Sequence, residues 1–142
     1  EVIVDAMAAL LIRRPESFDV VVTTNMYGDI LSDLAAELSG GLGLGPSINA
    51  GDDRAIAQAS HGSAPDIAGQ NIANPIALML SAGMLLNWLG DRHNRPDLIE
   101  AAVRLEEAVD AQLAEGVGVT RDLGGTFGTD AFGEAIARRI TG

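Results

Sequence analysis

Asp29 and Asp33 stand four residues apart in "GDILSD", a spacing that places two carboxylates on one face of a helix, one turn apart. Two hard oxygen donors held that way suit Mg²⁺ or Mn²⁺, which take carboxylates and keep waters for a substrate to displace. The same residues also fit a plainer role, because acids in a first helical turn are favoured by the helix dipole whatever their function. Asp5 sits in the otherwise apolar "IVDAMAALL". An isolated acid on an apolar face is costly unless it meets a cation or metal, so Asp5 is either turned to water or a third ligand. A second group of residues carries no charge cluster at all. "HGSAPDIAGQNIANP", residues 61–75, has the period of neither helix nor strand, and its glycines, prolines and asparagines mark a loop. Where such a loop runs into a helix N-terminus, free backbone N–H groups are available to an anionic or nucleotide group. It matches neither the three-glycine dinucleotide fingerprint nor a phosphate-binding loop with Gly-Lys-Ser. A plain surface loop, with His61 a structural histidine and His93 solvated, stays open on the residues alone.

The elements that position these residues are legible from periodicity. "EVIVDAMAALLIRRP" reads as a helix with Ile3, Met7, Leu10 and Leu11 on one face and Pro15 as its end. Residues 20–24 form a short β-branched run of the kind found in a buried parallel strand. "YGDILSDLAAELSGG" reads as a helix with Ile30, Leu31, Leu34 and Leu38 inward, closed by Gly40 and Gly41. Helix, strand, helix in this order implies an α/β layer. "LGLGPSINAG" and "AIAQAS" flank a Gly-Asp-Asp turn and predict a hairpin. Beyond the loop, helices are expected over residues 74–89, 96–114 and 129–140, with a charged break "GDRHNRP" and a short strand over residues 119–123.

Bulk properties narrow the function. The 142 residues suffice for one ordinary domain, and 47% of them are apolar, enough for a core. Nine basic against twenty acidic residues, a net charge of −11, argue against nucleic acid or an anionic membrane as partner. Cysteine is absent, which excludes disulfides, thiolate catalysis and thiolate metal sites and fits a cytoplasmic protein. No apolar run has the length of a membrane span, and no signal peptide is recognisable.

Three separated segments, "VDAMAALLIRRPESFDVVVTTNMYGDILSD", "HGSAPDIAGQNIANP" and "DLGGTFGTDAF", together resemble the C-terminal part of the metal-dependent β-decarboxylating dehydrogenases, the family of isopropylmalate, isocitrate, homoisocitrate and tartrate dehydrogenases. The resemblance covers essentially the whole chain and implies an α/β, isopropylmalate dehydrogenase-like fold, C-terminal part only, with helices packed on a mostly parallel sheet. It implies that the chain starts mid-fold, with residues 1–39 ending a small dimerisation and metal-binding domain and residues 40–142 forming the second half of a large cofactor domain. By position, Asp29 and Asp33 match the metal-binding aspartates of one subunit, and Asp5 the aspartate given to the neighbouring subunit's site in a homodimer. His61, Gly62, Ser63, Ala64, Pro65, Asp66, Ile67 and Asn74 match the loop that wraps the cofactor's adenosine, and Asn25 lies towards the nicotinamide. At the positions of Asp66 and Ile67, NADP-using relatives carry lysine and tyrosine, so NAD is implied. The implied activity is oxidative decarboxylation of a malate-type 2-hydroxy dicarboxylate, with isocitrate or 3-isopropylmalate foremost, using NAD and Mg²⁺ or Mn²⁺. The catalytic lysine, tyrosine and substrate-gripping arginines are expected upstream of Glu1, so the resemblance assigns no acid or base to this chain. A non-catalytic regulatory subunit or nucleotide-binding module of the same family is the alternative reading.

Overall fold

The computed structural model describes all residues 1–142 and divides into two compact units, Glu1–Leu42 and Gly43–Gly142. In the first unit, α1 (Val4–Arg13) packs against α2 (Asn25–Leu38). Met7 on α1 and Leu31 on α2 are the buried side chains. Pro15 opens a single 3-10 turn after α1, since it has no N–H to continue the helix. At the other end α2 closes as expected on glycines: Gly40 and Gly41 have φ of 128° and 118°, and the Gly41 N–H reaches back to the Ala36 carbonyl at 2.9 Å. Such backbone angles exclude most side chains, which is why glycines stand there.

Two expectations change in this unit. The β-branched run over residues 20–24 is extended but belongs to no ladder, with Val20 78% and Val22 91% exposed. The reason is physical: a buried strand needs neighbours on both edges, and residues 1–142 supply none to it. On α2, Leu31 faces inward, whereas Ile30 and Leu38 are exposed, since α1 is the only helix packed against it within the unit and covers one stripe.

The second unit begins with the predicted hairpin. β1 (Pro46–Ala50) pairs antiparallel with β2 (Ala55–Ala59), Ser47 opposite Gln58 and Ile48 opposite Ala57, and the turn closes by a Gly51 N–H to Arg54 carbonyl bond of 2.9 Å. The α/β class stands, but this antiparallel pair is the only sheet, in place of the mostly parallel sheet expected.

The hairpin lies on α3 (Ile76–His93), which in turn packs on α4 (Pro96–Glu115), and α5 (Thr129–Thr141) packs on α4. Ser81, fully buried, staples α3 to both strands. Its hydroxyl shares one proton between the Ala77 and Gln58 carbonyls, both at 2.7 Å, and accepts the Ser47 N–H at 3.1 Å. The core is Ile76, Ala108, Val109, Phe132 and Ile136, with Leu105, Leu113 and Phe127 around it.

α3 runs through half of the charged break, ending where Asn94 turns left-handed (φ 51°). It passes α4 so closely at Gly90 that a methyl there would sit 2.5 Å from Ile99 Cγ1. Residues 119–123 are not a strand. Thr120 makes one bridge to Phe127, and Arg121–Leu123 then coils into a 3-10 turn, because the Leu123 and Gly125 N–H groups both fold back onto the Thr120 carbonyl.

Candidate functional site

In the second unit, residues 61–74 wrap one side of an open groove of about 910 Å³. His61, Gly62, Ser63, Ala64, Ile67 and Asn74 line it, with Ala68, Gly69, Asn71, Ile72 and Ala73 from the same loop. Gly43, Asp122, Thr129 and Asp130 complete the lining. Pro65 and Asp66, also named from sequence, open the 3-10 turn Pro65–Ile67 and lie outside this wall. Asn25 belongs to the first unit, at the start of α2.

The loop holds its shape by local bonds. Ala64 is left-handed (φ 41°), as are Asn71 (φ 54°) and Gly69 (φ 75°). Three such residues within eight positions are a concentration of sparsely populated backbone of the kind found at binding sites. The His61 ring Nδ1 meets the Gly62 carbonyl at 2.9 Å, and Gln70 Nε2 donates to the Asp66 carbonyl at 2.8 Å. The Asp66 carboxylate itself is exposed, with no partner in the chain. Asn74 is engaged at both ends: its Oδ1 accepts the Ile76 N–H at 2.9 Å, opening α3, and its Nδ2 donates to Asp122 Oδ2 at 2.8 Å.

Asp122 is held in turn from below. Gln112, buried on α4, donates through Nε2 to the Val117 and Gly118 carbonyls at 3.0 and 3.1 Å and accepts from Arg139 Nε at 2.8 Å. That ties the chain leading to Asp122 to both α4 and α5. The groove wall contains carboxylates at Asp122 and Asp130, apolar surface at Ile67 and Ile72, and no lysine or arginine. Such a surface takes a flat, uncharged ring with hydroxyl groups more readily than an extra phosphate.

Asp122, Thr129, Asp130 and Asn71 were not singled out from sequence as site residues. The signal for the first three was present in "DLGGTFGTDAF", whose glycines allow other segments to approach: a methyl on Gly125 would lie 2.0 Å from the Val119 carbonyl oxygen, and one on Gly128 2.5 Å from that of Asn71.

In the first unit, Asp29 and Asp33 are exposed on α2 and Asp5 is exposed in the first turn of α1. No group of three His, Cys, Asp or Glu side chains converges in metal-holding geometry. The chain's ion pairs engage Asp53, Asp97, Glu100, Glu134 and Glu115, and none engages these three aspartates. Asp5 Oδ1 accepts only the neighbouring Ala6 N–H, at 2.6 Å.

A family model described as isocitrate/isopropylmalate dehydrogenase matches residues 1–136. The chain belongs to that family. It is 55% identical over 140 residues to the isocitrate/homoisocitrate dehydrogenase of Thermus thermophilus, covering 99% of this chain and 40% of that protein. A mitochondrial catalytic subunit of Arabidopsis thaliana NAD isocitrate dehydrogenase is 50% identical over 141 residues, covering 99% of this chain and 36% of that one. Among solved structures, the isocitrate dehydrogenase of Methylococcus capsulatus superposes with a TM-score of 0.89 at 45% identity, over 99% of this chain and 40% of the other. The isocitrate/isopropylmalate dehydrogenase fold is thus shared over the length of the chain, and the chain spans about two fifths of the length of the relatives it matches. No helix is long and apolar enough to cross a membrane.

Proposed function

We propose that the full-length protein catalyses NAD-dependent, Mg²⁺- or Mn²⁺-dependent oxidative decarboxylation of a malate-type 2-hydroxy dicarboxylate, isocitrate or 3-isopropylmalate, as a cytoplasmic homodimer. The observation that carries the reading is the groove at residues 61–74 in a chain of this family: an open groove with apolar surface, two carboxylates and no lysine or arginine.

The residues fit both groups. Asp29 and Asp33 offer unpaired carboxylates one turn apart on a helix, the hard oxygen donors that Mg²⁺ and Mn²⁺ prefer. Asp5 is an exposed acid with no ion-pair partner, free to serve the site of a neighbouring subunit in the proposed homodimer. When bound, the metal supplies Lewis-acid withdrawal of charge from the substrate oxygens and NAD supplies the hydride acceptor. The substrate loses a hydride from C2 and the proton of its hydroxyl, then CO₂ from the adjacent carbon, leaving a 2-oxo acid. With the cofactor bound, Ile67 and Ile72 would offer apolar surface to the adenine ring, and the exposed Asp66 carboxylate, in the turn beside the groove, would accept from the ribose hydroxyls. Asn74, locked between Ile76 and Asp122, presents a fixed edge.

Cofactor choice follows from charge. A 2′-phosphate would bring about two negative charges beside Asp66 and close to Asp122 and Asp130, with no lysine or arginine in the groove to offset them. The expected preference for NAD over NADP is at least about tenfold, or about 1.4 kcal/mol. The test is kcat/KM for both cofactors with isocitrate and with 3-isopropylmalate in Mn²⁺, on wild type, on Asp29→Asn and on Asp66→Lys with Ile67→Tyr. Asp29→Asn must lose metal-dependent turnover, and the double substitution must narrow or reverse the cofactor ratio. Equal use of NADP by wild type, or full activity of Asp29→Asn at saturating metal, would overturn the assignment.

A further inference from the structure

The first turn of α5 lacks a cap of its own. Its N-cap residue is Gly128, which has no side chain to accept the N–H groups that every helix leaves open at this end. The cap comes instead from the cofactor loop. Asn71 Oδ1 accepts the Asp130 N–H at 3.0 Å across a sequence separation of 59, and the Asn71 carbonyl accepts the Thr129 N–H at 3.2 Å. Thr129 answers by donating its Oγ1 proton to the Ala73 carbonyl at 2.5 Å. Asn71 reaches this position only in the left-handed backbone conformation, φ 54°, which asparagine tolerates better than most side chains.

These bonds join two segments that both line the groove, Asn71 and Ala73 from the loop and Thr129 and Asp130 from the start of α5. We infer that Asn71 is a positioning residue for cofactor binding: by capping α5 from the loop it fixes the loop against that helix before any ligand arrives. The inference rests on the proposed function and adds to it a residue that acts through the loop it holds. With the clamp gone, the loop must be ordered at the moment of binding, and that ordering subtracts from affinity.

The experiment uses the full-length protein and NAD titrated calorimetrically. Asn71→Gly keeps the left-handed backbone and removes the cap; Asn71→Asp keeps an acceptor, and asparagine and aspartate cap about equally well. Asn71→Gly is expected to bind NAD about fivefold to tenfold more weakly, the scale of a lost N-cap expressed as affinity. Its loop amides at residues 61–74 should exchange hydrogen faster, with those of α3 and α4 unchanged. Asn71→Asp should return to within about twofold of wild type. A residue that only supported the fold would lower the melting temperature and leave the affinity alone, so an Asn71→Gly affinity equal to wild type overturns the inference, as does an Asn71→Asp as weak as Asn71→Gly. Should Asn71→Gly fail to fold, Gly128→Ala, whose methyl would lie 2.5 Å from the Asn71 carbonyl oxygen, displaces the same clamp, and unchanged NAD binding there overturns the inference equally. A wild type that takes up no NAD sinks the functional reading itself.

Discussion

Gly128→Ala probes the contact between the loop of residues 61–74 and α5 with one added methyl. Gly128 has φ −82° and ψ 173°, open to any residue, so alanine introduces no backbone strain. Its methyl would, however, lie 2.5 Å from the Asn71 carbonyl oxygen, 3.0 Å from Asn71 Nδ2 and 3.2 Å from its Cγ. Carbon and oxygen in ordinary contact stay about 3.3 Å apart, so the Asn71 carbonyl must retreat by about 0.8 Å. That carbonyl already accepts the Thr129 N–H at 3.2 Å. A retreat of that size takes the pair to about 4 Å, beyond hydrogen-bond reach. Overpacking costs about 1 to 3 kcal/mol, and the lost bond adds about 1 kcal/mol.

The total, about 2 to 4 kcal/mol, divides between fold stability and docking of the loop. If even half falls on docking, NAD affinity of the full-length protein drops about fivefold or more. Gly124→Ala serves as the control. Its methyl would meet nothing within 4 Å, but its φ of 83° makes alanine strained there by about 1 to 2 kcal/mol. Both substitutions should lower the melting temperature, and only Gly128→Ala should weaken NAD binding strongly. Equal NAD affinity for wild type and Gly128→Ala, measured by titration, would refute the contact as a determinant of the groove.

Three further outcomes follow from the same geometry. Gly133→Ala, in the interior of α5, should raise stability by about 0.5 to 1 kcal/mol, because its methyl would meet Met79 Cε at an ordinary 3.7 Å and helix glycines cost that much; a lowered melting temperature would contradict it. The Arg95 guanidinium, donating to both Asp97 oxygens at 2.8 and 2.5 Å, holds that carboxyl below the usual carboxylate range, so whatever this pair contributes is present above the unfolded pKa of Asp97 and fades as pH falls through the lower folded value. Arg95→Gln should move the Asp97 titration upward by NMR, and an unmoved curve would dismiss the pairing. If the site is shared across a homodimer as proposed, mixing Asp5→Asn with Asp29→Asn subunits gives heterodimers with one site carrying both lesions and one carrying neither, so activity should reappear; verified heterodimers without recovery would take Asp5 out of its neighbour's site.

Helices and hairpin were legible in the sequence wherever one unit buries its own stripe. α3, α4 and α5 have their apolar positions at helical spacing and meet each other inside residues 43–142, so pattern and packing agree. The misreadings occur where the pattern refers to surfaces other than those residues. The β-branched run at residues 20–24 has the composition of a buried strand, and composition reports the environment a segment is built for rather than the partner it finds. Residues 119–123 failed for a different reason: a local 3-10 turn closed by Thr120 competes with a ladder, and two glycines directly after it make the turn cheap.

The site divides along the same line. Carboxylates such as Asp29 and Asp33 announce themselves, because charge and spacing are written in the chain. The residues that shape the groove do not, since Asn71 and Thr129 act through bonds to backbone groups more than fifty positions away. What the sequence does carry is the complement of those bonds. A helix that starts on glycine, as α5 does at Gly128, lacks an acceptor for its own first N–H groups, and in a well-formed domain that acceptor must come from elsewhere. Gly128 therefore has two uses at once: it leaves room for the Asn71 carbonyl, and it leaves open the N–H that Asn71 fills. A methyl there takes the room without supplying an acceptor, which is why so small a change at this position bears on NAD affinity, in the proposed function, more than its size suggests.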